Sequence, residues 1–191
     1  MASKDTFFVH ESSFVDEGAV VGSGTKIWHF SHVQSSARIG ENCVLGQNVN
    51  IGLGVVVGDR CKIQNNVSLY EGVIIEDEVF CGPSCVFTND FMPRAQSERE
   101  GGWIITPTFV RKGASIGANA TIVCGNTLGE YCLIGSGSVV THDVPPHALM
   151  VGVPARQVGW VCTCGAKLDK EMSCSACGKR YRLENEGLLL L

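Results

Sequence analysis

The 191-residue chain has little charge and few aromatics: Asp, Glu, Lys and Arg make up 18% of it, and Phe, Trp and Tyr 7%. The charge sums to −4. That argues against a nucleic-acid partner, because neutralising phosphates needs a basic surface. Long apolar runs are missing as well. Nothing approaches the roughly 20 residues that cross a bilayer, and the closing GLLLL is far too short. The opening MASKDTFFVHESS has no apolar signal-peptide core. The expected compartment is therefore the cytoplasm, with no membrane partner. In a reducing compartment the ten cysteines are not expected to pair as disulfides.

What the chain does have is glycine, 23 residues of it, and a period of six. Cut into hexads from Phe8, the second positions read Val9, Val15, Val21, Ile27, Val33, Ile39, Leu45, Ile51, Val57, Ile63, Leu69, Ile75, Cys81 and Phe87. The sixth positions are mostly small or β-branched, among them Ala37, Cys43, Val49, Val55, Cys61, Val67 and Cys85. Six is neither a helical nor a simple strand period; it is the period of a hexapeptide β-helix. Each hexad is one short strand and a corner, and three hexads close a triangular coil of 18 residues. The aliphatic second positions stack into a core, and the cysteines at sixth positions, Cys132 included, are packing atoms. The fold class expected is all-β, a parallel β-helix.

The phase breaks after Phe87 and resumes with Val110, Ile116, Ile122, Leu128, Ile134 and Val140. The interruption, DFMPRAQSEREGGWIITPT over 90–108, has two prolines, paired glycines and a charge cluster. Insertions that break a solenoid often carry its site. Residues 1–159 are expected to form the prism with this loop, and 160–191 a small cysteine-rich tail.

Residues 18 apart should be neighbours on successive coils, roughly 4.8 Å apart. That stacks Asn89 on Glu71. It also makes columns of His29, Gln47 and Asn65, of Phe30, Asn48 and Asn66, and of His32, Asn50 and Ser68. Such an edge of imidazoles and carboxamides offers many donors and acceptors with little charge, which suits a base, ribose or pyrophosphate. The competing reading is amide ladders that satisfy one another along the solenoid.

In the tail, Cys162-Thr-Cys164 and Cys174-Ser-Ala-Cys177 are each followed by glycine. Four thiolates in two knuckles suit a structural zinc ion, although the first pair is one residue short of the usual spacing. Four ligands would leave no open position for catalysis.

The stretches KIWHFSHV, RIGENCVLGQNVNIG, KIQNNVSLYEGV, VFCGPSCVFTNDFMPRA, PTFVRKGASIGANATIVCG and MVGVPARQVGWVC resemble the bacterial UDP-2-acetamido-3-amino-2,3-dideoxy-glucuronate N-acetyltransferases. The resemblance implies left-handed coils, a homotrimer with clefts between subunits, and transfer of acetyl from acetyl-CoA to a sugar 3-amine for surface polysaccharide such as O-antigen. Asn89 would orient the sugar amine, with Glu71 ordering that amide or holding a sugar hydroxyl. His29, His32, Gln47, Asn48, Asn65, Asn66 and Tyr70 would line the nucleotide-sugar site, and Arg94 would meet the uronate carboxylate. For acetyl-CoA, Gly117, Ala118 and Ser136 would contact the pantetheine. Arg111, Lys112 and Arg156 would meet the phosphates, and Pro154 and Ala155 would wall the adenine. The rivals are an acetyltransferase for another nucleotide-linked amino sugar or for a hydroxyl, a carbonic-anhydrase-like hydratase using His29, His32, His142 and His147, and a structural trimer. A hydroxyl acceptor generally needs a histidine base, whereas FTND offers asparagine.

Overall fold

The computed structural model describes residues 7–95, 103–184 and 187–191. Its strands are mostly two residues long, and the two-residue strands begin at the first position of a hexad, as in Phe8–Val9, Phe14–Val15 and Val20–Val21. Strand pairing is parallel with a register of 18, for example Lys26 with Val44 and His32 with Asn50. Three sheets of nine, seven and six strands form the faces of a triangular parallel β-helix.

The first face carries Lys26–Ile27 and Lys62–Ile63, the second His32–Val33 and Ser68–Leu69, the third Arg38–Ile39 and Val73–Ile75. Second-position side chains from all three meet inside. Ile27, Leu45, Ile51, Ile63, Leu69, Ile116, Ile122 and Ile134 are fully buried. Sixth positions point into the corners, where Cys43, Cys61, Cys81's neighbour Cys85 and Cys132 are buried as expected. The neighbouring Cys85 thiol and then burial push the Cys81 thiol well up, and burial raises Cys132 to about 12. Both stay neutral core atoms.

The corners explain much of the polar pattern. Their fifth positions are left-handed in backbone: Asn42, Asn48, Arg60, Asn66, Ser84 and Asn119 all have φ between 55° and 61°. Asparagine tolerates that region better than most residues. Fourth-position side chains cap the coil before them. Asp59, Asn65 and Asp77 accept the backbone N–H groups of Glu41, Gln47 and Asp59 at 2.8–2.9 Å.

The interruption falls between the second and third faces. Across it the register rises from 18 to 35, with Val73 opposite Thr108 and Ile75 opposite Val110. Part of the expected loop, 96–102, lies outside the described residues. At its base the loop is pinned: the Asn89 carbonyl accepts from the Thr106 N–H at 2.9 Å, and the Pro107 carbonyl from Gly125 at 3.1 Å. The solenoid ends when Arg156–Trp160 turns back antiparallel on Ala148–Val151. Beyond it a small second core of Cys162, Leu168, Cys174 and Tyr181 shares Trp160 with the main one. No helix among the described residues is long and apolar enough to cross a membrane.

Candidate active site

Asn89 occupies the fourth position of its hexad, the same position as Asn65, Asp59 and Asp77. Those three spend their side chains on the preceding coil. Asn89 does not: among the described residues no group bonds its carboxamide, and the Glu71 N–H it would cap by analogy is not its partner. The chain leaves the coil here, and the amide makes no bond to the preceding coil. It is half-buried and faces a concavity of about 530 Å³ lined by Tyr70, Phe87, Thr88, Asn89, Asp90, Pro93 and Trp103.

The hollow is built by the interruption. Thr88 is fixed because its Oγ1 accepts the Cys124 N–H at 2.9 Å. Asp90 Oδ1 accepts the Met92 N–H at 2.8 Å and turns the chain outward. Trp103, 60% exposed, completes the lining. An aromatic wall with one carboxamide and one carboxylate can stack a sugar's apolar face and fix one hydrogen-bonding group. Sequence reasoning found Asn89 and Tyr70 but missed Trp103, Asp90 and Thr88. The signals available were the FTND run itself and the lone tryptophan in the interruption.

The other expected residues are dispersed. Glu71 is paired by register with Asn89 but is exposed and not part of the lining. Arg94 is exposed, and its guanidinium donates to the Pro93 carbonyl at 3.4 Å. Gln47, Asn48, Asn65 and Asn66 lie on the edge between the first and second faces, and there they form ladders. Asn48 Nδ2 donates to Asn66 Oδ1 at 3.0 Å, and the Gln47 N–H to Asn65 Oδ1 at 2.9 Å. His29 lies on this edge too, its ring 3.6 Å from that of His10. His32 sits on the second face, with Nε2 2.9 Å from Asp16 Oδ1.

Of the residues expected at the cofactor, Gly117, Ala118 and Ser136 share that first-to-second edge, with Ser136 exposed. Arg111 and Lys112 lie on the edge between the third and first faces. Glu76 holds both there, accepting from the Arg111 guanidinium at 2.7 Å and the Lys112 N–H at 2.9 Å. Pro154 and Arg156 are exposed in the final turn, while Ala155 between them is wholly buried and donates its N–H to the Val139 carbonyl at 2.8 Å.

The four tail cysteines do converge. The sulfurs of Cys162, Cys164, Cys174 and Cys177 lie within 4.8 Å of one another. Burial pushes the Cys162 thiol up, but the Cys164 N–H, the Tyr181 hydroxyl and the neighbouring thiols outweigh it and bring it down to about 6.

Residues 36–71 and 111–142 match the family described as "Hexapeptide repeat of succinyl-transferase", and 18–53 match "Bacterial transferase hexapeptide (six repeats)". A relative from Aneurinibacillus thermoaerophilus, dTDP-3-amino-3,6-dideoxy-alpha-D-galactopyranose 3-N-acetyltransferase, is 45% identical over 95% of this chain and 93% of its own length. The chain belongs to the hexapeptide-repeat sugar N-acetyltransferases. A more distant relative is the bifunctional protein GlmU of Thermotoga petrophila, 32% identical over 75% of this chain but only 22% of the longer protein. Among solved structures, a hexapeptide-repeat containing acetyltransferase of Vibrio cholerae, complexed with acetyl coenzyme A, is similar with a TM-score of 0.48. It is 24% identical over 78% of this chain and 70% of its own. AntD, an N-acyltransferase of Bacillus cereus in complex with dTDP and coenzyme A, has a TM-score of 0.49 at 16% identity, covering 80% of this chain and 79% of its own.

Proposed function

We propose that this protein transfers the acetyl group of acetyl-CoA to the 3-amino group of a nucleotide-linked amino sugar. The observation that carries the reading is the Asn89 carboxamide, which makes no bond to the preceding coil and lines the aromatic hollow. The relative from A. thermoaerophilus acts on a 3-amine, and the glucuronate enzymes that the sequence resembles also act at C3.

The chemistry needs little from the protein beyond placement. The neutral amine attacks the thioester carbonyl carbon. A C–N bond forms, the C–S bond breaks, and CoA departs as thiolate, which takes up the proton released by the nitrogen. A sugar amine is less basic than a lysine, so a useful fraction is neutral near pH 7. The Asn89 carboxamide oxygen accepts one N–H of that amine and turns its lone pair toward the thioester, which is catalysis by orientation. Asn89 is no base, and none is required when the leaving group can take the proton.

For the remainder of the sugar, a neutral substituent at C5, as in a 3,6-dideoxy sugar, is favoured by the printed substrate of the A. thermoaerophilus relative. The second reading is the UDP-linked glucuronate, favoured by Arg94, which lies five residues beyond Asn89. Acetyl-CoA residues such as Ser136 and the sugar residue Asn89 stand on different edges of the prism. We therefore read the assembly as a homotrimer in which edges of neighbouring copies face one another.

The test is thiol release from acetyl-CoA with three acceptors: dTDP-3-amino-3,6-dideoxygalactose, UDP-2-acetamido-3-amino-2,3-dideoxy-glucuronate and a 4-amino nucleotide sugar. Turnover with either 3-amino sugar and not the 4-amino sugar is expected, faster by about tenfold or more with the 6-deoxy sugar. Preference for the uronate, abolished in Arg94→Ala, would establish the second reading. Turnover with the 4-amino sugar alone would discard the C3 assignment.

A further inference from the structure

The mechanism makes no use of the C-terminal cysteines, yet their four sulfurs converge. Cys162 and Cys177 sulfurs are 3.4 Å apart, and those of Cys164 and Cys174 3.5 Å. A bonded disulfide holds its sulfurs near 2.05 Å, so these are non-bonded approaches. A single tetrahedral zinc with Zn–S bonds of about 2.3 Å sets its sulfurs about 3.8 Å apart. All four lie within 4.8 Å of one another and so bracket that figure.

The surrounding backbone is that of two metal knuckles. The Cys164 N–H points to the Cys162 sulfur and the Lys179 N–H to the Cys177 sulfur. Each knuckle closes on a glycine of positive φ, Gly165 at 89° and Gly178 at 73°. Their N–H groups return to the Cys162 and Cys174 carbonyls at 2.8 and 2.9 Å. Despite the short first pair, the sulfur of buried Cys162 and that of exposed Cys164 reach the same cluster. Lys179 Nζ donates to Thr163 Oγ1 at 2.8 Å and places a cation between the knuckles, where four thiolates around a divalent ion would leave a net negative charge.

We propose that Cys162, Cys164, Cys174 and Cys177 bind one zinc ion, which fastens the tail as a cap on the last coil. The cap is joined to the solenoid through one aromatic column. His147 lies 5.3 Å from Tyr131 on the coil and 5.3 Å from Tyr181 of the tail. His147 Nδ1 also meets the Val161 carbonyl at 2.9 Å. Tyr181 in turn reaches the Cys162 sulfur with its hydroxyl at 3.1 Å. Through this column and Trp160, metal in the tail steadies the antiparallel strand that closes the solenoid. The closed ligand set gives the ion no catalytic role.

The test uses the full chain as purified without added metal. Elemental analysis is expected to give one zinc per chain. Replacing it with Co(II) should give the thiolate-to-metal charge-transfer absorption and the intense visible bands of a tetrahedral sulfur site. Cys164→Ala and Cys177→Ala, both at exposed positions, should each lose most of the metal. Cys85→Ala should keep it, since Ala37, Ala114 and Ala120 already fill equivalent corners. Chelation of the parent should lower Tm by roughly 5 °C or more, and should not lower that of Cys164→Ala. Four equivalents of thiol reactive without chelator, a metal content near zero, two disulfides, or iron in place of zinc would each overturn the assignment.

Discussion

Replacing Asn89 by alanine is expected to lower kcat/KM for the sugar by about 100-fold, or roughly 2.7 kcal/mol, the scale of a lost positioning contact. Its Tm should stay within about 1 °C of the parent, because the side chain holds no neighbouring coil. Asn65→Ala is the matched control, with the same residue at the same hexad position one corner type away. It loses the acceptor of the Gln47 N–H, which costs about 1 kcal/mol of stability, and should leave turnover nearly intact. Asn89→Asp separates orientation from charge. A carboxylate beside the sugar amine holds it protonated, so the variant should be slow near neutral pH and recover as pH rises and the amine deprotonates. Steady-state kinetics and calorimetry on the three variants check the set. Equal losses of Tm in Asn89→Ala and Asn65→Ala, with activity following stability, would reduce Asn89 to another rung of the ladder.

Gly117→Ala is expected to destabilise the protein strongly. Its φ is not left-handed, so glycine is not there for backbone freedom. The reason is space: a Cβ would sit 2.5 Å from the Ser136 nitrogen and 2.8 Å from the Gly135 carbonyl carbon and Ile134 oxygen. All three are backbone of the next coil, and none can rotate away. The coil cannot lift either, because the Gly117 N–H is bonded to the Ile134 carbonyl at 2.8 Å and Ser115 and Ile116 are paired with Leu133 and Ile134. Overpacking of this kind costs about 1–3 kcal/mol, equivalent to a Tm drop of roughly 3–10 °C at this chain length. Thermal unfolding measures that, and KM for acetyl-CoA measures the pantetheine contact that the sequence suggests. An unchanged Tm with a raised KM would assign Gly117 to the cofactor alone.

The hexad made the fold legible because every sixth side chain meets the same surroundings. Ile27, Ile63 and Ile134 declare a buried column without any knowledge of what lies between them. The site was legible only in part. Asn89 and Asn65 look alike in sequence and differ in structure, because the chain leaves the coil after one and not after the other. The carboxamide columns were visible as columns, but an asparagine at a left-handed corner is accounted for by its backbone and its ladder bond before any ligand is invoked. Trp103 was hidden because a periodic pattern is silent about residues outside the period. Arg111 reads as a free cation; the partner that holds its guanidinium, Glu76, lies 35 residues earlier, a distance the broken register of the interruption conceals, and the same carboxylate also takes the Lys112 backbone N–H.

That register has a consequence for how such proteins diversify. Passing from a coil of 18 residues to one of 35 nearly doubles the loop that must close, yet closure entropy grows only logarithmically, so the added cost is about 0.6 kcal/mol. The stacked coils on either side keep their pairing, since their partners are unchanged. Length and composition at this one corner can therefore drift widely while the prism stays folded. Under the function proposed above, acceptor choice becomes a trait that evolution can retune almost independently of foldability.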